Sequence, residues 1–158
     1  MFALLLFLCA APSPCASKTL SLQQEDPIQL SSFSIINDIA TVSGISSGGY
    51  MAVQLHIAFS SSFNGSGIFA AGPYYCAQGS LAIAEDACSF SFLNIDLNAL
   101  VSYTKDQAFL GTIDSIENLS NDRTYLFSGS KDTVVDPKVV NALKDYYSSF
   151  LSSSNIVT

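Results

Sequence analysis

The chain has little basic charge: six Lys and Arg against thirteen Asp and Glu, one His, and a formal net charge of -7 over 158 residues. Gripping nucleic acid needs clustered Lys and Arg to neutralise phosphate, and the six here are scattered, so that class of partner is excluded. Tryptophan is absent and only 12% of residues are charged, whereas 49% are apolar. That is the composition of a buried core and not of a disordered chain. There is no hydrophobic run of membrane-spanning length. Of the four cysteines two lie in the first fifteen residues, and the remaining two, without a nearby histidine, cannot supply the usual four-ligand zinc site. No metal and no organic cofactor is expected.

One shorter apolar run is present. Phe2 to Ala11 is Leu, Phe and Ala with one Cys, and it meets Pro12-Ser13-Pro14 and then small residues. This reads as a secretory signal peptide over residues 1–17, removed to leave a soluble, secreted domain of residues 18–158. Cys9 and Cys15 go with it, leaving Cys76 and Cys88. An even pair in an oxidising compartment most simply forms one disulfide, two buried thiols being the other arrangement. Asn64-Gly65-Ser66 and Asn118-Leu119-Ser120 are glycosylation sequons.

Periodicity predicts alternating elements: strands over Asp38–Gly44, Gly67–Gly72 and Thr124–Ser128, helices over Tyr50–Phe59, Gly79–Ala87, Leu97–Leu110 and Lys138–Leu151, and the start of a strand at Asn155–Thr158. Ser17 to Ser34 reads as an irregular lead-in or an edge strand. The alternation implies an α/β fold, a parallel sheet with helices on both faces.

Gly44-Ile45-Ser46-Ser47-Gly48 fits G-x-S-x-G between a strand and a helix, the setting of a nucleophile elbow. There the serine Oγ is lifted above the strand ends on a tight turn, and glycines at 44 and 48 remove side chains that would collide with it. Ser46 is the expected nucleophile, with Ser47 next in line, and the backbone N–H of Ser47 is an expected oxyanion donor at the helix start. In α/β-hydrolases the triad acid lies on a loop after a later strand, where it orients the histidine. Asp132, in Ser128-Gly129-Ser130-Lys131-Asp132, is so placed. Asp136 competes, but standing before Pro137 it also reads as a helix N-cap. The only histidine, His56, lies on the helix after the elbow, roughly 15 Å along the axis from Ser46 at about 1.5 Å per residue, too far to serve as its base. The triad order places the base after Asp132, where no histidine occurs. The triad is expected to be incomplete in this chain.

Three stretches together resemble polyhydroxybutyrate depolymerases. Val42 to Ala52 (VSGISSGGYMA) is similar to the nucleophile region of that family, Ala70 to Ala77 (AAGPYYCA) to its Gly-Pro-Tyr-Cys stretch, and Ser128 to Val135 (SGSKDTVV) to its acid loop. The resemblance spans about Ile36 to Asp136. It implies an α/β-hydrolase-like fold in which Ser46 is the nucleophile and Asp132 the acid, and it places the histidine some tens of residues further on. Because Ser46 comes early, the resemblance also implies the circularly permuted arrangement of some secreted members and a domain that is C-terminally incomplete here. The expected activity is ester hydrolysis on a polyester or oligoester through a Ser-His-Asp triad. A secreted carboxylesterase of other specificity (feruloyl or lipid ester) and an inactive truncated fragment are the alternatives.

Overall fold

The computed structural model describes Ser32 and residues 40–158. The signal segment of residues 1–17, the boundary at residue 18, nearly all of the lead-in and the first two residues of the expected Asp38–Gly44 strand lie outside the described residues.

Four parallel strands form one sheet in the order β1-β2-β3-β4: β1 Val42–Ile45, β2 Gly65–Phe69, β3 Arg123–Phe127 and β4 Ile156–Val157. Between them run α1 Ser47–Ala58, α2 Leu81–Asp86, α3 Leu97–Phe109 and α4 Pro137–Tyr147. Every expected element is present, with ends moved by up to four residues. A 3₁₀ turn at Ile116–Asn121 was not expected, since six residues are too few to show a helical period.

The caps explain several boundaries. The side chains of Ser80, Asp96 and Asp136 accept from the N–H groups of Ile83, Ala99 and Lys138, starting α2, α3 and α4. Pro137 stands at the first position of α4, where its missing N–H is no loss.

Register aligns Val42, Ser66, Thr124 and Ile156 across the sheet, and Gly44, Ile68 and Leu126 two residues on. These rows lie on the covered face. Val53 and Ile57 of α1 and Leu143, Tyr146 and Tyr147 of α4 join Ile68 and Leu126 in one buried cluster. The third helix packs behind the fourth, with Thr104 Oγ1 and the Tyr146 hydroxyl 2.6 Å apart.

The alternate rows carry Ile45, Tyr125, Phe127 and Val157, which are 42–70% exposed, with Phe69 between them, 5.8 Å from Tyr125 and 5.9 Å from Phe127 by ring centroids. The expectation of helices on both faces is therefore met on one face only among the described residues. The strand order gives the reason. When the strands follow chain order, right-handed crossovers all step the same way and return each helix to the same side. Covering the other face takes a reversal of strand order, and none occurs within β1 to β4.

Cys76 and Cys88 form a disulfide and are both buried, which decides between the pair and two free thiols. It closes a loop with a sequence separation of 12, around α2, a six-residue helix with no buried residue of its own. Little apolar burial holds this segment, so the crosslink matters. Opening a loop of this size should cost about 3 kcal/mol. Differential scanning calorimetry of Cys88→Ser should show a transition several degrees lower, and an unchanged midpoint would rule out that contribution.

Candidate active site

The end of β1 and the start of α1 meet at Ser46. It occupies the N-cap position of α1 with φ 54° and ψ -125°, a left-handed backbone that a non-glycine residue adopts only when its surroundings impose it. They do so from both sides. The Ser46 N–H donates to the Phe69 carbonyl at 2.9 Å, carrying the β1–β2 ladder into the turn, and the Ser46 carbonyl accepts from Tyr50 N–H at 2.9 Å, closing the first helical turn. The Ser46 side chain makes no capping bond, so its Oγ is left exposed at the strand ends. Ser47 follows at the first helical position, where the helix supplies no carbonyl for its N–H. That geometry suits an oxyanion donor.

The glycines do not all serve as the sequence suggests. A Cβ on Gly44 would lie 2.2 Å from the Gly48 carbonyl oxygen, so this position admits no side chain. A Cβ on Gly48 would meet nothing within 4 Å. The expected steric need at Gly48 is thus corrected: its Cα–Cβ direction leads into open space. The second required glycine is Gly49, where a Cβ would lie 2.8 Å from the Phe69 carbonyl oxygen and 3.0 Å from Ala71 Cβ. It lets α1 sit directly on β2.

Asp132 lies on the loop after β3. Its Oδ1 accepts from the N–H groups of Val134 at 2.9 Å and Val135 at 3.0 Å, and its own N–H donates to the Gly129 carbonyl. One carboxylate oxygen is thus fixed by the loop, and Oδ2 carries no bond to another described residue. Asp136 differs. Its Oδ1 accepts from Lys138 N–H and its Oδ2 from Ser91 Oγ, and the Lys138 bond holds its carboxyl below the usual range. Both oxygens are engaged in capping α4 and tying it to the loop after α2.

A cavity of about 500 Å³ opens beside Ser46. Its walls come from the first turns of α1 (Tyr50, Met51, Gln54), the loop after β2, the disulfide, and Val134 and Val135 of the acid loop. Asp132 does not itself line it, but its loop does, so the two regions expected to carry chemistry share one cavity. Tyr50 ties the walls together: its hydroxyl donates to the Cys88 carbonyl, and burial pushes its ionisation up. Sequence reasoning missed Tyr50 and Gln54, although four- and eight-residue spacing from Ser46 puts both on one helix face.

His56 does not line that cavity. It is wholly buried, with Nδ1 2.9 Å from the Tyr147 hydroxyl and Nε2 3.2 Å from Asp122 Oδ2. A neutral ring satisfies both partners, accepting from Tyr147 and donating to Asp122. Burial lowers the imidazole to about 4 and raises the Asp122 carboxyl to about 6. Desolvation thus outweighs ion pairing at this 3.2 Å contact. The two shifts act oppositely on stability. His56 binds fewer protons folded than unfolded, so its contribution is lost as pH falls from 6.5 towards 4. Asp122 binds more protons folded, so its contribution is lost as pH rises from 3.8 through about 6. In the intact protein the two slopes oppose each other. Asp122→Asn should expose the histidine slope, with urea midpoints falling as pH drops from about 6.5 to 4, and His56→Gln should give the reverse slope. Parallel pH profiles for the two variants would disprove the assignment.

No protein-family model matches the chain. Over 131 residues it is 47% identical to a poly(3-hydroxybutyrate) depolymerase of Delftia acidovorans, covering 82% of this chain and 26% of that protein. Over 128 residues it is 37% identical to a polyhydroxybutyrate depolymerase of Talaromyces funiculosus, covering 80% and 36%. The crystal structure of PHB depolymerase from Penicillium funiculosum superposes with a TM-score of 0.67 at 37% identity, over 77% of this chain and 36% of that one. The chain belongs to the PHB depolymerase family. The same score is reached, at 36% identity, with a serine-to-alanine PHB depolymerase variant complexed with an R3HB trimer. The family's fold is thus seen in this chain over a parallel four-stranded sheet with helices, consistent with the expected α/β-hydrolase-like class. The chain spans about a quarter to a third of the length of these relatives. Among the described residues no helix is long and apolar enough to cross a membrane, and no cluster of three or more potential metal ligands occurs.

Proposed function

We propose that these residues form the nucleophile and acid portion of a secreted carboxylic ester hydrolase acting on poly(3-hydroxybutyrate) or its oligomers. The observation that carries the reading is the elbow itself: a serine held at φ 54° between β1 and α1, its side chain uncapped, over an apolar cavity that the acid loop also lines. Ser46 Oγ attacks the ester carbonyl and forms an acyl-enzyme, while the Ser47 N–H stabilises the oxyanion. Asp132 Oδ2 holds the imidazole of the base, and water then releases a 3-hydroxy acid. His56 is engaged under the sheet and does not serve as that base. In this reading the base comes from the part of the family's length outside these 158 residues, and the early elbow reflects a permuted chain order. The signal-like run Phe2–Ala11 and the Cys76–Cys88 bond support secretion.

The test is a chimera in which residues 40–136 replace the matching stretch of the Delftia acidovorans relative. It should hydrolyse poly(3-hydroxybutyrate) granules. Ser46→Ala should reduce turnover to background, and Asp132→Asn should lower kcat by roughly 10⁴. Full activity in the Ser46→Ala chimera would defeat the assignment, and loss with Asp136→Asn in place of Asp132→Asn would move the acid to the capping residue.

A further inference from the structure

The loop that follows β2 turns tightly, with the Cys76 N–H on the Pro73 carbonyl and the Ser80 N–H on the Ala77 carbonyl. Among the described residues five non-glycine residues have positive φ, and three of them, Ser46 at 54°, Tyr75 at 58° and Gln78 at 50°, line the one cavity beside the elbow. For Ser46 the strain comes with the elbow. Tyr75 is the third residue of a turn closed by the Cys76 N–H on the Pro73 carbonyl, where a positive φ is called for, and a bulky aromatic is a poor occupant of that position, which glycine adopts freely, as Gly79 does at 74° a few residues on. Such a residue persists only where its surroundings hold it, and residues so held cluster at functional sites.

Three separate contacts hold it. Gln54 of α1, which lines the same cavity, accepts from the Tyr75 N–H through Oε1 at 3.4 Å. Tyr103 of α3 stacks on the Tyr75 ring with centroids 3.7 Å apart and planes at 9°. The adjacent Cys76 is bonded to Cys88, whose carbonyl takes the Tyr50 hydroxyl. Elements from three parts of the chain thus converge to keep one aromatic residue in the cavity wall before any substrate arrives.

We propose that Tyr75 is a specificity-determining residue of this cavity, limiting the side chain of the hydroxy-acid unit that fits beside Ser46, with Gln54 and Tyr103 as positioning residues. The inference rests on reading the cavity as the ester site. Its chemistry is that of a rigid ring bounding an apolar space, which discriminates between substituents by size.

The experiment is isothermal titration of the 158-residue chain with two probes, the methyl ester of the (R)-3-hydroxybutyrate trimer and that of the (R)-3-hydroxyhexanoate trimer, whose side chains are two carbons longer. Tyr75→Gly suits the left-handed backbone, so it removes the ring while relieving strain. It should weaken butyrate-trimer binding and shift the ratio of the two affinities towards the longer side chain by roughly fivefold or more. Gln54→Ala should shift the ratio in the same direction, and Gln54→Glu, which keeps an acceptor for the Tyr75 N–H, should restore it. This pair decides the matter if Tyr75→Gly fails to fold. A wild-type chain that binds, with a ratio unmoved in every variant, overturns the role of Tyr75 and leaves the ester site standing. A wild-type chain that binds neither probe overturns the site and the inference with it.

Discussion

The purified 158-residue chain should hydrolyse p-nitrophenyl esters on the order of 10⁶-fold more slowly than a PHB depolymerase of full family length, because on the proposed assignment of Ser46 and Asp132 it carries no histidine placed to act as base. The serine hydroxyl is a weak nucleophile at neutral pH and needs a neighbouring group to take its proton. The sole histidine cannot do this: it is wholly buried and its two nitrogens face Tyr147 and Asp122. What is left on the proposed reading is the Ser47 N–H as oxyanion donor and an apolar cavity, and in serine hydrolases such remnants give only a small part of the full acceleration. Ser46→Ala should therefore change the residual rate little. His56→Gln should leave it unchanged as well. Ordinary esterase turnover by this chain, abolished in Ser46→Ala, would show that another residue acts as base and would overturn this account.

The second large effect concerns the glycines of the elbow, and it divides them. Gly44→Ala should destabilise the protein by on the order of 3 kcal/mol or more. The added methyl would lie 2.2 Å from the Gly48 carbonyl oxygen and 2.8 Å from the Gly49 nitrogen. Those atoms are the backbone of the first turn of α1 and have no rotamer to escape into. Relief would require moving α1 off β1, its main packing partner, and with it Ser46. Gly48→Ala should be close to neutral or slightly stabilising, by at most about 0.5 kcal/mol, since position 48 lies in the first turn of α1, short of the interior where the full alanine advantage applies, and its methyl would meet nothing. Urea denaturation of the two variants reads both effects. Equal destabilisation at 44 and 48 would restore the symmetric view of the motif.

That contrast bears on what a motif can convey. G-x-S-x-G identified the strand-turn-helix and the serine, because local backbone chemistry and a short pattern suffice for that. It could not rank its glycines, since the ranking depends on where α1 lies relative to β1 and β2. Asp132 and Asp136 make the same point. Both were visible as turn or cap residues, and they part only in the tertiary structure, where Asp136 has both oxygens engaged and Asp132 keeps one free of the loop.

The sequence by itself determined the alternating α/β order, the strands and helices within a few residues, the serine turn and the family, because each rests on local periodicity or on short contiguous stretches. Only the tertiary structure decided that Cys76 and Cys88 pair, that His56 lies in a buried cluster with Tyr147 and Asp122, that the helices among the described residues cover one face of the sheet, and that Gln54 and Tyr103 brace Tyr75. Each of these joins residues distant in the chain. Their pairing is set by strand order and helix packing, which no local pattern encodes.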